Sequence, residues 1–240
     1  MIQPEFSRST ILYGEQAQRK LESATVMVCG VGAVGSFALE ALARLGVGSF
    51  VLIDSDTVDL SNINRQLCAL HSTVGKSKTA VMRARVLDIN PRARVEISDR
   101  FVDDSNCGEF VSLRPDVIVD AIDSLAPKAS LAAAALSAGV PIVSSMGAAR
   151  RRNPALVGTA ELFSTHGCPM ASRMRKEMRS RGFRKGQMCV FSAECTEVSS
   201  HVQSGSGASK KIMGSSPIIT GIFGLTLANL ALDVILSKKI

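Results

Sequence analysis

Short apolar runs and longer amphipathic segments alternate through the first 148 residues of the chain. A short apolar run rich in β-branched residues is typical of a buried strand, and apolar residues at helical spacing are typical of a helix packed on one face. The pattern predicts strands at 25–29, 49–54, 93–99, 116–123 and 141–147, and helices at 33–45, 73–90 and 127–139. Strands that alternate with helices predict a doubly wound α/β fold, with a mostly parallel, Rossmann-like sheet covered on both faces.

The pattern changes after about residue 148. A basic helix is predicted at 172–182 and a strand at 188–193, followed by a Ser/Gly-rich stretch at 199–211 that we expect to be mobile. The residues from Pro217 onwards are mostly apolar. We therefore predict a Rossmann-like domain at 1–148 and a C-terminal extension at 149–240, ending in an apolar helix, within the same globular unit.

The last 24 residues are apolar enough to raise the question of a membrane span. Thr226, Asn229 and Asp233 interrupt this stretch at spacings of three and four, so they share one helix face. A single polar stripe favours a helix packed on the core or on a partner subunit over a membrane anchor.

The N-terminus lacks the apolar core of a signal peptide, and the six Cys form no C-x-x-C pair. A cytoplasmic location is therefore expected, with peripheral membrane association through the last helix as the less favoured alternative.

The charge of the chain is concentrated in one segment. The net charge is +7, and residues 150–185 carry ten Lys and Arg against two Glu, so that the rest of the chain sums to −1. A basic segment on a nearly neutral body favours the docking of an acidic partner over a merely solvated helix face. Because the chain has no Trp and one Tyr, a stacking platform for single-stranded nucleic acid is not expected.

A glycine motif follows the first predicted strand. Gly30, Gly32 and Gly35 form G-x-G-x-x-G at the turn from strand to helix. The first glycine permits the tight turn, the second lets a phosphate approach the backbone, and the third lets the helix lie close to the strand. Asp54 ends the next strand, 19 residues after Gly35, where a carboxylate would hold ribose hydroxyls. The pattern predicts a nucleotide site with the phosphates at a helix N-terminus.

Side chains suited to a triphosphate follow the later strands. Arg65 lies after the second strand, Lys78 near the next helix, and Asp123 at the end of the fourth strand. Loops after parallel strands meet beyond the strand ends, so both cations would converge on the phosphates and Asp123 would hold Mg²⁺ between them. Adenylation needs such a clamp, because charge builds on the departing pyrophosphate, whereas hydride transfer does not. A NAD-dependent dehydrogenase, which would not need this clamp, is the alternative function of another class.

Four segments together resemble the ubiquitin-activating-enzyme-like adenylyltransferases, which include the molybdopterin- and thiamine-synthesis activating enzymes. The segments are GVGAVGSFALEALARLGVG, LIDSDTVDLSNINRQ, VGKSKTAVMRARVLDINP and VDAIDS, and the resemblance covers residues 6 to about 148. It implies an enzyme that binds ATP with magnesium and adenylates a carboxylate. It also implies that Asp54 binds the ribose and Asp123 the magnesium. The residues implied to hold the phosphates are Asn62, Arg65 and Lys78.

The same resemblance implies a homodimer. Arg8, in the segment FSR before LYG, matches an N-terminal arginine that reaches the ATP of the partner subunit. The dimer would then be obligatory for activity. The catalytic residues implied in this way are Arg8, Arg65, Lys78 and Asp123.

The second half of the chain is similar to a branch of that superfamily, the tRNA threonylcarbamoyladenosine dehydratases. The similar segments are SSMGAARRRNPALV, CPMASRMRKEMRSRG, VFSAE and the closing apolar helix. The similarity implies adenylation of the threonyl carboxylate, ring closure and release of AMP. The basic segment agrees with it, because an anticodon stem presents phosphates. The predicted tRNA contacts are Arg150, Arg151, Arg152, Arg173, Arg175, Lys176, Arg179 and Arg181.

One alternative stays within activation chemistry, namely adenylation of the C-terminus of a small ubiquitin-like or sulfur-carrier protein, with sulfur-transfer or electron-donor partners. That branch usually carries two C-x-x-C pairs, which this chain lacks. A thioester role for Cys189 or Cys195 is left open, since some relatives use a cysteine. For Lys128, at the start of a predicted helix, two alternatives stay open: its side chain approaches the nucleotide, or it is solvated.

Overall fold

The computed structural model describes residues 3–195 and 213–237, and the predicted mobile stretch 199–211 lies outside these residues. The strands are β1 Thr25–Cys29, β2 Ser49–Ile53, β3 Arg94–Ser98, β4 Val117–Asp120, β5 Ile142–Ser145, β6 Val157–Glu161 and β7 Met188–Ser192. The α-helices are α1 Ser7–Tyr13, α2 Glu15–Ser23, α3 Gly35–Arg44, α4 Lys78–Ile89, α5 Cys107–Ser112, α6 Leu125–Ser137, α7 Pro169–Ser180 and α8 Pro217–Ser237.

The strands form one sheet in the order β3-β2-β1-β4-β5-β7-β6. Within the described residues, the pairing of β6 with β7 is antiparallel and the other pairings are parallel. The predicted doubly wound α/β fold is therefore confirmed. The winding reverses between β1 and β4, which lie side by side. Ligands of doubly wound sheets bind beyond the carboxyl ends of the strands at this point.

Several elements differ from their predicted bounds, and in two of them, β4 and α4, the difference concerns a predicted site residue. Strand β4 stops at Asp120, whose Oδ1 accepts the Ile122 N–H (3.1 Å) and turns the chain. Asp123 therefore lies in the turn before α6 and not at a strand end. Helix α4 begins at Lys78 and not at residue 73, because the Ser77 side chain caps it by accepting the Ala80 N–H.

Helices α1, α2 and α5 and strand β6 were not predicted. Strand β6 reads VGTAE, which has too few large apolar residues to resemble a buried strand. It lies at the edge of the sheet and pairs on one side with β7. Its existence depends on that neighbour and not on a local sequence signal.

Two apolar clusters cover the two faces of the sheet, one with α3, α4 and α8 and the other with α5, α6 and α7. Helix α8 packs tightly on α3, since a Cβ placed on Gly224 would lie 2.5 Å from the Val34 carbonyl oxygen. Among the described helices, α8 is the one long and apolar enough to cross a membrane by length and composition. Its exposed side carries a hydrogen bond from Asn229 to Asp233 (3.3 Å). Helix α8 therefore packs on the core with one face and carries polar side chains on the other, as the spacing of Asn229 and Asp233 predicts.

Candidate nucleotide-binding site

The glycine loop between β1 and α3 has the close contacts that its motif predicts. Gly30 has φ +86°, a conformation that L side chains rarely adopt, and a Cβ there would lie 2.9 Å from the Ala121 carbonyl oxygen. A Cβ on Gly35 would lie 1.7 Å from the Gly30 carbonyl oxygen. A Cβ on Gly32 would meet only the Gln66 amide, at 3.7 Å. The outer two glycines thus fix the turn, while Gly32 leaves the backbone open to a ligand.

Asp54 lies directly beside this loop. Its Oδ2 accepts the Val31 N–H (2.8 Å) and its Oδ1 accepts the Asp56 N–H (2.9 Å). Burial raises the pKa of Asp54 above its usual value, while the nearby Lys78 and these two hydrogen bonds oppose the shift. Each carboxylate oxygen has a second lone pair. The carboxylate is therefore held in place with acceptor capacity left for the hydroxyls of a ribose.

Lys78 and Asp56 form an ion pair at the start of α4. The Lys78 Nζ lies 2.6 Å from the Asp56 Oδ2, and the two side chains are 6% and 66% exposed. A mostly buried ammonium is thus held by a carboxylate that itself faces solvent. An incoming phosphate can compete with Asp56 for this cation without having to bury an unpaired charge.

Asn62 and Arg65 lie in the loop between β2 and α4. Asn62 is buried, and its Oδ1 accepts the Asp59 N–H (3.2 Å) in a capping box. Its amide nitrogen donates to the Ser61 hydroxyl (3.5 Å), which leaves the second N–H of the amide for a ligand. Arg65 is partly exposed, and its Nη1 donates to the Ser61 carbonyl (2.8 Å) and to the Asn64 Oδ1 (2.8 Å). Arg65 directly precedes Gln66, the residue closest to the open side of Gly32.

Asp123 is exposed in the turn between β4 and α6, where its Oδ1 accepts the Ser124 hydroxyl (3.1 Å). In the described part of the chain no three His, Cys, Asp or Glu side chains gather as a metal site. Mg²⁺ commonly binds through one or two carboxylates together with substrate phosphates. A single exposed carboxylate beside a phosphate loop fits that mode of binding.

A buried polar network below Asp123 was not predicted. The Lys128 Nζ lies 2.7 Å from the Asp120 Oδ2, and neither side chain is exposed. The same Oδ2 accepts the Ser144 hydroxyl (2.8 Å), and the Ser144 oxygen accepts the Gln187 amide (2.9 Å). Lys128 is therefore not solvated but buried, with Asp120 as its partner. Because Asp120 also fixes the Ile122 N–H, the network supports the turn that carries Asp123.

The predicted tRNA contacts fall into three groups. Arg152, Arg173, Lys176 and Arg179 are exposed and Arg150 is partly exposed. Two more are engaged within the protein, since Arg175 donates to the Thr165 carbonyl (2.9 Å) and Arg181 pairs with Glu177 and Asp104. Arg151 is buried. The sequence gives these arginines no distinguishing signal, because their burial is set by distant parts of the chain.

Three remaining candidates can be placed. Arg8 is exposed on α1, next to the strongly exposed side chains of Ile11 (84%) and Leu12 (73%). Cys189 is buried, and burial raises the pKa of its thiol far above the usual value, so it is held as an unreactive thiol. Cys195 is exposed.

The fold and the phosphate loop define a class of protein. A sequence model of the ThiF family matches residues 6–240, so this chain belongs to the ThiF family. The predicted resemblance to adenylyltransferases is thereby confirmed.

Two sequence relatives and one solved structure are similar to most of this chain. The chain is 42% identical over 190 residues to the tRNA threonylcarbamoyladenosine dehydratase of Bacillus subtilis, covering 79% of this chain and 75% of that protein. It is 39% identical over 197 residues to the Escherichia coli enzyme of the same name, covering 79% and 73%. The crystal structure of E. coli tRNA N6-threonylcarbamoyladenosine dehydratase in complex with ATP matches with a TM-score of 0.88 at 34% identity, covering 97% of this chain and 94% of that one.

Proposed function

We propose that this chain is an ATP-dependent tRNA threonylcarbamoyladenosine dehydratase, which adenylates the threonyl carboxylate and closes a ring with release of AMP. The observation that carries the proposal is the meeting of three crossover loops at the reversal of the sheet. The glycine loop contacts the other two, because the Val31 N–H donates to Asp54, beside Lys78, and Gly30 lies against Ala121, two residues before Asp123. The relatives named above add the substrate, which the geometry alone does not specify.

The reaction has two steps. First, a carboxylate oxygen of the substrate attacks the α-phosphorus of ATP, the bond to the bridging oxygen breaks, and pyrophosphate leaves. An atom of the substrate's own carbamoyl group then attacks the activated carbonyl carbon and gives up its proton to solvent, and AMP leaves with the carboxylate oxygen. The net result is loss of one water from the nucleoside, with ATP converted into AMP and pyrophosphate. No enzyme nucleophile is needed, because the attacking atom is already held close to the carbonyl.

The residues of the chain would position the ATP and neutralise the negative charge that develops during the reaction. Asp54 would hold the ribose, and the N–H groups of the glycine loop would face the phosphates. Lys78 and Arg65 would stabilise the charge that develops on pyrophosphate. Magnesium bound by Asp123 and the phosphate oxygens would supply further charge neutralisation. No role is assigned to Cys189, because burial encloses its thiol and raises its pKa.

The test is mass spectrometry of nucleosides from tRNA carrying threonylcarbamoyladenosine, after incubation with ATP. We expect a product lighter by one water, with one AMP formed per product. Arg65→Ala should abolish ATP–pyrophosphate exchange while leaving thermal unfolding unchanged. Unaltered nucleosides, together with adenylation of an added small protein with a di-glycine tail, would instead favour the carrier-protein alternative.

A homodimer is part of the proposal. Ile11 and Leu12 expose apolar surface on α1, and a second subunit would cover it and bring Arg8 to the neighbouring site. Arg8→Ala and Arg65→Ala proteins should each be inactive. When the two are mixed and allowed to exchange subunits, about a quarter of wild-type activity should return, because half of the dimers are mixed and each has one intact site. No recovery after proven exchange would place Arg8 in its own subunit's site.

The exposed arginines and lysine of α7 are proposed to contact tRNA phosphates. Replacing Arg173, Lys176 and Arg179 with Gln should weaken tRNA binding and lower the slope of log K against log salt by about one unit per lost phosphate contact. Arg83→Gln, an exposed residue on α4, is the matched control. An unchanged slope in the triple variant would show that α7 does not contact the tRNA.

A further inference from the structure

One arginine of the basic segment differs from its neighbours. Arg151 is 4% exposed, and its Nε and Nη1 are buried without a hydrogen-bond partner. Arg152 beside it is exposed, and Arg150 is partly exposed. A buried guanidinium without partners is destabilising, because the lost hydration is not replaced. Such a group in a folded protein needs an explanation, and a missing ligand is one.

The loop around Arg151 is tightly built. Arg150 has φ +62°, a left-handed conformation that costs free energy in a residue other than glycine. Its N–H donates to the Gly214 carbonyl (2.9 Å). The Glu194 carboxylate accepts the N–H groups of Arg152 (2.9 Å) and Asn153 (3.0 Å). The backbone on both sides of Arg151 is therefore fixed with the middle side chain inside.

Glu194 does not satisfy the Arg151 guanidinium. The two backbone hydrogen bonds hold the pKa of Glu194 below its usual value, and the charges of Arg151 and Arg152 add to this shift. Glu194 is thus a nearby anion. However, the Arg151 Nε and Nη1 remain without a partner. The field of Glu194 makes the buried cation tolerable without using its donors.

The loop belongs to the rim of the nucleotide site. It leaves the carboxyl end of β5, which pairs with β4 where Asp120 faces Ser144. Across the rim, the Asn64 Nδ2 donates to the Ser215 carbonyl (3.4 Å), one residue from the Gly214 that holds Arg150. Residues 214 and 215 therefore connect the Arg151 loop to the loop of Arg65.

We propose that Arg151 binds the carboxylate of the modified nucleoside and presents it for adenylation, a role distinct from that of the exposed arginines. This inference rests on the proposed function. A backbone phosphate of tRNA is flanked by sugars, which hinder its approach to a side chain that is 4% exposed. A carboxylate at the end of a flexible substituent is small and planar, and its two oxygens suit the donors of a guanidinium. Arg151 would thus select a substrate that carries a free carboxylate.

The first arm of the test measures thermal unfolding of Arg151→Met, Arg151→Lys and the control Arg83→Met. Without ligand, Arg151→Met should be at least as stable as wild type, since a buried unpaired charge is removed. The nucleoside N6-threonylcarbamoyladenosine should raise the Tm of wild type and of Arg83→Met but not that of Arg151→Met. The methyl ester of the nucleoside, which lacks the carboxylate, should stabilise none of them. ATP should stabilise all four proteins equally.

The second arm measures AMP formation with the modified tRNA. Arg151→Met should raise KM roughly 10- to 100-fold, as expected for hydrogen bonds between charged groups, and Arg151→Lys should restore part of the loss. Loss of unliganded stability in Arg151→Met would make the residue structural, and weakened ATP binding would assign it to a phosphate; either result overturns the proposal. If wild type fails to dehydrate the modified nucleoside within the tRNA, the proposed function fails. If wild type succeeds and Arg151→Met matches it, this inference alone fails.

Discussion

Lys128→Met should destabilise the protein strongly, because it leaves a carboxylate buried without its cation. Neither Lys128 nor Asp120 is exposed, and their charged atoms lie 2.7 Å apart. Removing one partner of a buried pair costs about 3–5 kcal/mol of the free energy of unfolding. For a chain of this size each kcal/mol shifts Tm by about 2–4 °C, so we expect a decrease of ~6–20 °C. Circular dichroism during heating and during urea titration measures both quantities.

The double variant Lys128→Met/Asp120→Asn supplies the control. It removes both charges, and the amide oxygen of Asn can still accept the Ile122 N–H that Asp120 accepts now. The double variant should therefore be more stable than Lys128→Met alone. The single variant Asp120→Asn completes a double-mutant cycle. A loss below about 1 kcal/mol in Lys128→Met, or additive effects of the two single variants, would refute the argument that this pair is tightly coupled. In Lys128→Met protein that is still folded, ATP binding should also weaken, because the turn carrying Asp123 loses its support.

Three further predictions concern other parts of the site. Gly35→Ala should abolish ATP binding or folding, measured by calorimetry and Tm, because its Cβ would lie 1.7 Å from a carbonyl oxygen; normal binding would contradict the loop geometry. Iodoacetamide should modify exposed Cys195 and spare Cys189, whose pKa burial raises. The lowered pKa of Glu194 stabilises the fold above the usual pKa of a glutamate and loses this effect as pH falls through the lowered value. Glu194→Gln should accordingly be less stable than wild type near pH 7 and equal to it in acid.

Much of the fold was predictable, because β1, β2 and β4 are buried apolar runs and the glycine motif marks the first crossover. The errors in the element bounds have two different causes. The Ser77 hydroxyl, which caps α4, moved the helix start to Lys78. Strand β6 forms because β7 offers a free edge, which no local pattern in VGTAE reveals. The first contact is local, an N-cap of a residue type that commonly begins a helix, whereas the second is tertiary, and local propensity is a weak guide to it.

The candidate site shows the same division. The glycines and Asp54 were predictable, since their roles depend on the backbone turn and on strand order. The partners of the cations were not, because Lys78 pairs with Asp56 and Lys128 with Asp120 only after the loops meet. The three consecutive arginines at 150–152 are identical in sequence, and only the fold buries the middle one.

Lys128 and Arg151 are both buried cations, and the difference between them separates support from recognition. Lys128 has a carboxylate at 2.7 Å, so its charge is balanced in the unliganded protein. Arg151 has the charge of Glu194 nearby but keeps two buried nitrogens without hydrogen-bond partners, so partners for these donors must come from outside the chain. The same change, from a cation to Met, should therefore affect the stability of the unliganded protein differently at the two positions. Lys128→Met should lower the free energy of unfolding, and Arg151→Met should not. Equal losses at both would mean that Arg151, like Lys128, serves the fold and that its unpaired donors mark no binding site.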